Sequence, residues 1–145
     1  MKKLITTLLA LCLMNSASFS DVKLGIIIGF TGPIESLAPD MAAGAEAAID
    51  EVNKSGSFSM GTVSAIKADS TCIDSSAATA AAERLITSDK IKGIMGADCS
   101  GVTTAILQQV AMANGIAMVS PSATSPALST VEDNNLFFRT APSDA

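Results

Sequence analysis

The sequence predicts an α/β fold, a doubly wound parallel sheet with strand order 2-1-3-4-5. Three observations lead there. Short apolar runs alternate along the chain with segments of helical period. The first run, residues 22–30 (VKLGIIIGF), is almost continuously apolar and rich in Ile, as expected of a strand buried on both faces. Capping residues and glycines fall between the segments, where helices start and stop. Strands alternating with helices make parallel βαβ units joined by right-handed crossovers.

After the first strand comes a loop holding Gly32 and Pro33. Pro39 and Asp40 suit the first turn of a helix, and Met41, Ala45, Ala48, Ile49 and Val52 recur at helical spacing. Gly56 is placed to end it. Residues 62–68 read as the second strand. Asp74 or Ser75 can cap an Ala-rich helix reaching about Ser88. Residues 91–96 (IKGIMG) form the third strand. Ser100 can cap a third helix with Val102, Ile106, Val110 and Ala113 on one face, closed by Asn114 and Gly115. Residues 116–119 make the fourth strand and 136–140 the fifth. The Ser- and Pro-rich stretch 120–130 reads as a long loop rather than a linker, because another strand follows it.

The chain has 145 residues, 48% of them apolar and 16% charged, which suits one packed domain and excludes a highly charged disordered tail. Net charge is −5 with no basic face, so nucleic-acid binding is not expected. There is no His, which excludes imidazole catalysis and most zinc sites. No P-loop or nucleophile-elbow pattern occurs, and Met41 and Met95 read as core rather than as metal ligands. No catalytic residue, metal or cofactor is expected.

Residues 1–20 (MKKLITTLLALCLMNSASFS) follow the pattern of a secretory signal peptide. Lys2 and Lys3 supply the positive start, residues 4–14 a short apolar stretch, and Ser18 and Ser20 the −3 and −1 positions of a cut before Asp21. The apolar stretch is too short to span a bilayer. Cys12 follows Leu11, whereas a lipid-attachment cysteine wants a small residue before it. Removal of Lys2 and Lys3 leaves 7 of 9 basic residues against 14 acidic ones, a mature charge of −7. The expected location is the periplasm.

Loss of Cys12 leaves Cys72 and Cys99. An even count in an oxidising compartment favours a disulfide over two unpaired buried thiols. No Cys-x-x-Cys pattern suggests thiol redox chemistry.

In an open parallel sheet, ligands bind beyond the carboxyl ends of the strands. Residues 31–39, 98–103 and 120–124 reach that edge, and all are rich in hydroxyl or small side chains. Ser100 at a helix N-terminus can offer free amides and a hydroxyl to a carboxylate; the plain alternative is a helix cap. Thr124 can add a second hydroxyl or be an ordinary turn residue, and carbonyls near Ser122 can accept from an ammonium. Asp98 points at the same edge, as a partner for a cationic ligand group or as a solvated loop acid.

These segments together resemble the type I periplasmic binding proteins, especially those binding leucine, isoleucine and valine. The resemblance is carried by Gly29-Phe30-Thr31-Gly32-Pro33 followed by AAGAEAAIDEVNKSG, by the placing of Cys72 and Cys99, by VSPSATSPALS over residues 119–129, and by FFRTAPSD over 137–144. It implies that Ser100 binds a ligand carboxylate, and that Ser122, Ala123 and Thr124 bind carboxylate and ammonium. It places Leu37 where the family often has an aromatic against the ligand side chain, in a loop one residue longer. Asp98 stands where relatives carry an apolar residue. These departures leave the ligand open among branched-chain amino acids, amides, urea and aromatic acids.

The resemblance further implies that residues 21–145 are the N-terminal ligand-binding lobe of a two-lobed, hinged, monomeric protein, incomplete here and without its second lobe. That protein would deliver its ligand to an ABC permease in the inner membrane, without chemistry. The alternative reading is the extracytoplasmic ligand-binding domain of a sensory receptor.

Overall fold

Five parallel strands form one sheet in the computed structural model, which describes residues 21–145. They are β1 (Val22–Ile28), β2 (Val63–Asp69), β3 (Gly93–Gly96), β4 (Ala117–Ser120) and β5 (Phe137–Arg139). Their order is β2-β1-β3-β4-β5, as the alternating pattern predicts. Gly25 sits opposite both Ile66 of β2 and Ile94 of β3, so β1 is hydrogen-bonded on both sides. The signal-peptide reading of residues 1–20, with Cys12, lies outside the described residues. No helix among the described residues is long and apolar enough to cross a membrane.

Successive side chains of β1 point to opposite faces, and each face has its own core. Ile27 faces a large cluster built from Ala78, Ala82 and Leu85 of α2 (Ser75–Thr87) and Val102 and Ile106 of α3 (Ser100–Ile106). Ile26 and Ile28 face a smaller one with Ala38 and Ala42 of α1 (Ala38–Ser55), to which Met41, Ala45 and Met95 add half-buried contacts. Helices therefore cover both faces of the sheet. The small cluster explains why Ala48 and Val52, on the predicted face of α1, remain exposed. On this side of the sheet Val119 and Phe138 also remain 40% and 56% exposed.

The local punctuation acts as read. Pro39 lies in the first turn of α1, and Gly56 ends that helix in the left-handed conformation at φ 64°. Asp74 caps α2, its carboxylate accepting from the amides of Ser76 and Ala77. Gly115 ends the third helical segment at φ 64°. That segment is not one regular helix. After α3 comes a π-helical turn, Leu107–Ala111, before the last α turn, Met112–Asn114. The wider turn shifts the helical register. Leu107 and Ala111 are therefore buried, whereas Ala113, placed on the buried face by a uniform period, is exposed.

Candidate functional site

Because all five strands run in parallel, their carboxyl ends, Ile28, Asp69, Gly96, Ser120 and Arg139, lie along one edge. The loops leaving that edge carry the candidate residues, and a set of internal bonds fixes each loop.

The loop after β1 is held by Asp69 at the end of β2. Its carboxylate accepts from the Thr31 hydroxyl at 2.5 Å, the Thr31 amide at 3.2 Å and the Thr71 amide at 2.8 Å. Burial pushes the Asp69 pKa up, but hydrogen bonds from the Thr31 side chain and from the Thr71, Thr31 and Phe30 backbone outweigh it. The carboxyl is held below its ordinary value of 3.8. Gly32 has φ +95°, and a Cβ there would overlap the Thr71 carbonyl oxygen, so only glycine fits this approach. Leu37 ends the loop as the residue before α1 and is 58% exposed.

Cys72, after β2, is disulfide-bonded to Cys99, after β3, with the two Cα atoms 5.2 Å apart. The oxidised pairing expected of an exported chain is thus present. Cys99 takes an extended conformation, φ −97° and ψ 133°, and is the residue that precedes α3. Ser100 is therefore the first helical residue rather than the cap, one position later than its sequence suggests. The first intrahelical bond runs from the Thr103 amide to the Cys99 carbonyl at 3.0 Å. The amides of Ser100, Gly101 and Val102 precede it and point out of the helix start.

Asp98 does not match either sequence reading. It is only 3% exposed and its carboxylate is turned inward. One oxygen accepts from the Gly29 amide at 2.6 Å; the other accepts from the Ser70 hydroxyl and the Cys99 amide, each at 3.0 Å. Both oxygens are spent on the fold, so Asp98 is neither a solvated loop acid nor a carboxylate presented to a cation.

The loop after β4 closes onto this frame. Ser122 donates its hydroxyl to the Asp98 carbonyl at 2.9 Å. Ala123 is fully buried, and its amide donates to the Ser120 hydroxyl at 2.9 Å. The Ser125 amide donates to the Ser100 hydroxyl oxygen at 3.1 Å. Thr124 donates its hydroxyl to the Asp144 carboxylate at 2.7 Å. Arg139 of β5 clamps the far side of the turn, donating to the Ser125 carbonyl at 2.9 Å, the Ala123 carbonyl at 3.4 Å and the Ser129 hydroxyl. Residues Pro126–Ser129 form a 3-10 turn within what the sequence presents as loop.

Ser100, Ser122, Ala123 and Thr124 are thus gathered at one place, joined through the bond between Ser125 and Ser100. Leu37 lies on the same edge, in the loop after β1. Asp98 lies directly behind them rather than among them. Sequence reasoning missed Asp69, Arg139 and Asp144, which hold these loops. Arg139 and Asp144 stand inside the FFRTAPSD segment that carried the family resemblance, but nothing local marks their partners.

The chain's similarities extend over the same region. The "Periplasmic binding protein" family profile matches residues 21–145. A Leu/Ile/Val-binding protein of Citrobacter freundii is 32% identical over 144 residues, 99% of this chain and 38% of that protein. An ABC transporter substrate-binding protein of Desulfitobacterium hafniense, solved in complex with Leu, is 26% identical with a TM-score of 0.73, covering 86% of this chain and 35% of that one. A branched-chain amino acid transporter substrate-binding protein of Streptococcus pneumoniae, solved with isoleucine, shares the fold at a TM-score of 0.76 and 24% identity, covering 86% and 35%. The chain spans little more than a third of the length of these relatives. With a match running from Asp21 to the last residue, the chain belongs to the periplasmic binding protein family.

Proposed function

We propose that this chain is the N-terminal ligand-binding lobe of an exported solute-binding protein, which captures a small amino acid of the branched-chain kind, or an amide, for an ABC importer. The observation that carries the reading is the 3.1 Å bond from the Ser125 amide to the Ser100 hydroxyl. It joins a helix start, with its outward amides, to a turn rich in hydroxyls. Such a corner suits the carboxylate of a zwitterion, which gains from amide donors and the helix's positive end.

In this reading Ser100 and the amides beside it take the carboxylate. Ser122, Ala123 and Thr124 supply backbone and hydroxyl groups to carboxylate and ammonium, and Leu37 lies against the side chain. Residues 1–20 direct export to the periplasm and are removed. A second lobe closes over the first, and the closed form is presented to a permease in the inner membrane. Ligand favours closure because only the closed state makes both sets of contacts. The protein acts as a monomer, without a cofactor, and transforms nothing. The names of the relatives, as Leu/Ile/Val-binding and branched-chain amino acid transporter proteins, support the ligand class.

A thermal-shift screen of the full-length protein against L-leucine, L-isoleucine, L-valine, small amides and urea tests the reading. A ligand that binds only the folded state raises the melting temperature by mass action. Absence of any shift across the panel would reject it.

A further inference from the structure

Asp98 is a buried acid without a cation. No ion pair among the described residues involves it, and it is 3% exposed. A carboxylate in such a place is tolerated only when donors surround it. Three do: the Gly29 amide at 2.6 Å, the Ser70 hydroxyl at 3.0 Å and the Cys99 amide at 3.0 Å. Its own carbonyl accepts the Ser122 hydroxyl at 2.9 Å. One residue therefore touches the loops that leave β1, β2, β3 and β4. Bonds to a charged acceptor are stronger than neutral ones, so Asp98 is a strong polar junction at the carboxyl edge.

The surroundings are shaped around it. A Cβ at position 29 would come within 3.2 Å of the Asp98 carboxylate, so the glycine there leaves room for the approach. An apolar side chain at 98 would leave two amides and a hydroxyl buried without acceptors, each at the cost of its desolvation. Two peptide bonds separate Asp98 from Ser100, and the residue between them, Cys99, is fixed by both the Asp98 bond and the disulfide.

We propose that Asp98 is a positioning residue for the binding site: it touches no ligand, and it sets the places of Ser100 and Ser122 through the Cys99 amide and its own carbonyl. The inference rests on the binding role proposed above for Ser100. Asparagine at 98 keeps the size, loses the charge and brings an N–H₂ group toward donors that need an acceptor.

The test uses the full-length protein with L-leucine as probe, and compares Asp98→Asn, Ser100→Ala and their double variant by calorimetry. Leu85→Val, in the core away from the site, controls for lowered stability. Asp98→Asn is expected to bind about tenfold more weakly, the equivalent of one lost hydrogen bond to a charged group. The control keeps wild-type affinity. The double variant falls well short of the product of the two single losses, because both act on one contact. Losses that multiply, or wild-type affinity in Asp98→Asn, would overturn the proposal.

Amide hydrogen exchange without ligand gives a second readout. Faster exchange at Gly29 and Cys99 in Asp98→Asn, but not in Leu85→Val, supports the tie; unchanged exchange rejects it. Faster exchange together with unaltered affinity in Ser100→Ala would reject the binding role of Ser100 while upholding the junction. Should Asp98→Asn fail to fold, Ser70→Ala, which removes one of the three donors, is read in the same way.

Discussion

Thr124 and Asp144 hold each other at both ends: the Thr124 hydroxyl donates to the Asp144 carboxylate at 2.7 Å, and the Asp144 amide donates to the Thr124 carbonyl at 3.0 Å. The pair ties the segment after β5 to the turn after β4. It also fixes the polarity of the threonine oxygen, whose single proton is committed to Asp144 while its lone pairs remain free to accept. Thr124→Ala in the full-length protein should weaken L-leucine binding at least several-fold, since bonds to charged groups contribute about 1.5–3 kcal/mol. Thr124→Ser, which keeps the hydroxyl, should bind within a small factor of wild type. Calorimetry on both variants reads the difference, and equal affinities would remove Thr124 from the site.

Ser100 stands at the other side of the same corner. Its oxygen accepts from the Ser125 amide, which leaves its proton available to a carboxylate. In the function proposed above, Ser100→Ala therefore removes a donor to the ligand, and it leaves the Ser125 amide without its acceptor. The expected result is a loss at least as large as that of Thr124→Ala, with little change in melting temperature, because Ser100 is only half-buried. A variant that melts much earlier yet binds normally would mean that the hydroxyl serves the fold alone.

Acid stability should report the loop after β1. Asp69 has its pKa lowered in the folded protein, because donors from Thr31, Thr71 and Phe30 outweigh the upward push of burial. A lowered carboxylate pKa stabilises the fold above the unfolded value, about 4, and that contribution vanishes as pH falls through the folded value. Asp69→Asn should thus be less stable than wild type at pH 6, and the gap should narrow as the pH drops below about 4. Urea titrations at several pH values measure it. A gap that stays constant into acid would show that the Asp69 charge contributes nothing.

How much of this was legible depends on how far each interaction reaches along the chain. Gly56, Asp74 and Gly115 act on neighbours within a turn, so their caps can be read from the sequence. The strand order follows from the alternation of runs. Ser100 was misplaced by one residue because Cys99, in an extended conformation without a side-chain cap bond, gives no capping signal of its own. The π turn at Leu107–Ala111 has no local signature, so a uniform period put Ala113 on the wrong side. Asp98 was misread for a different reason. Its main partners, Gly29 and Ser70, lie 69 and 28 positions away, and only the folded sheet brings them to it. The hydroxyls of the candidate site were legible as a pattern; the acids and the arginine that hold them were not.

The disulfide offers the last test. Cys72 and Cys99 close a loop with a sequence separation of 27, containing α2 and β3. A closed loop of that size restricts the unfolded chain by about 3–4 kcal/mol in the chain-entropy account. Cys72→Ser with Cys99→Ser should therefore unfold at distinctly lower denaturant concentration than wild type. Binding should suffer as well, because Cys99 immediately precedes Ser100 and its backbone sets the direction in which α3 begins. Mass spectrometry of the exported protein, with and without reductant, should find Cys72 and Cys99 joined to each other in one intramolecular bond. Two free thiols would contradict the pairing, and full ligand affinity in the double variant would show that Asp98 and the loop bonds suffice to hold Ser100 in place.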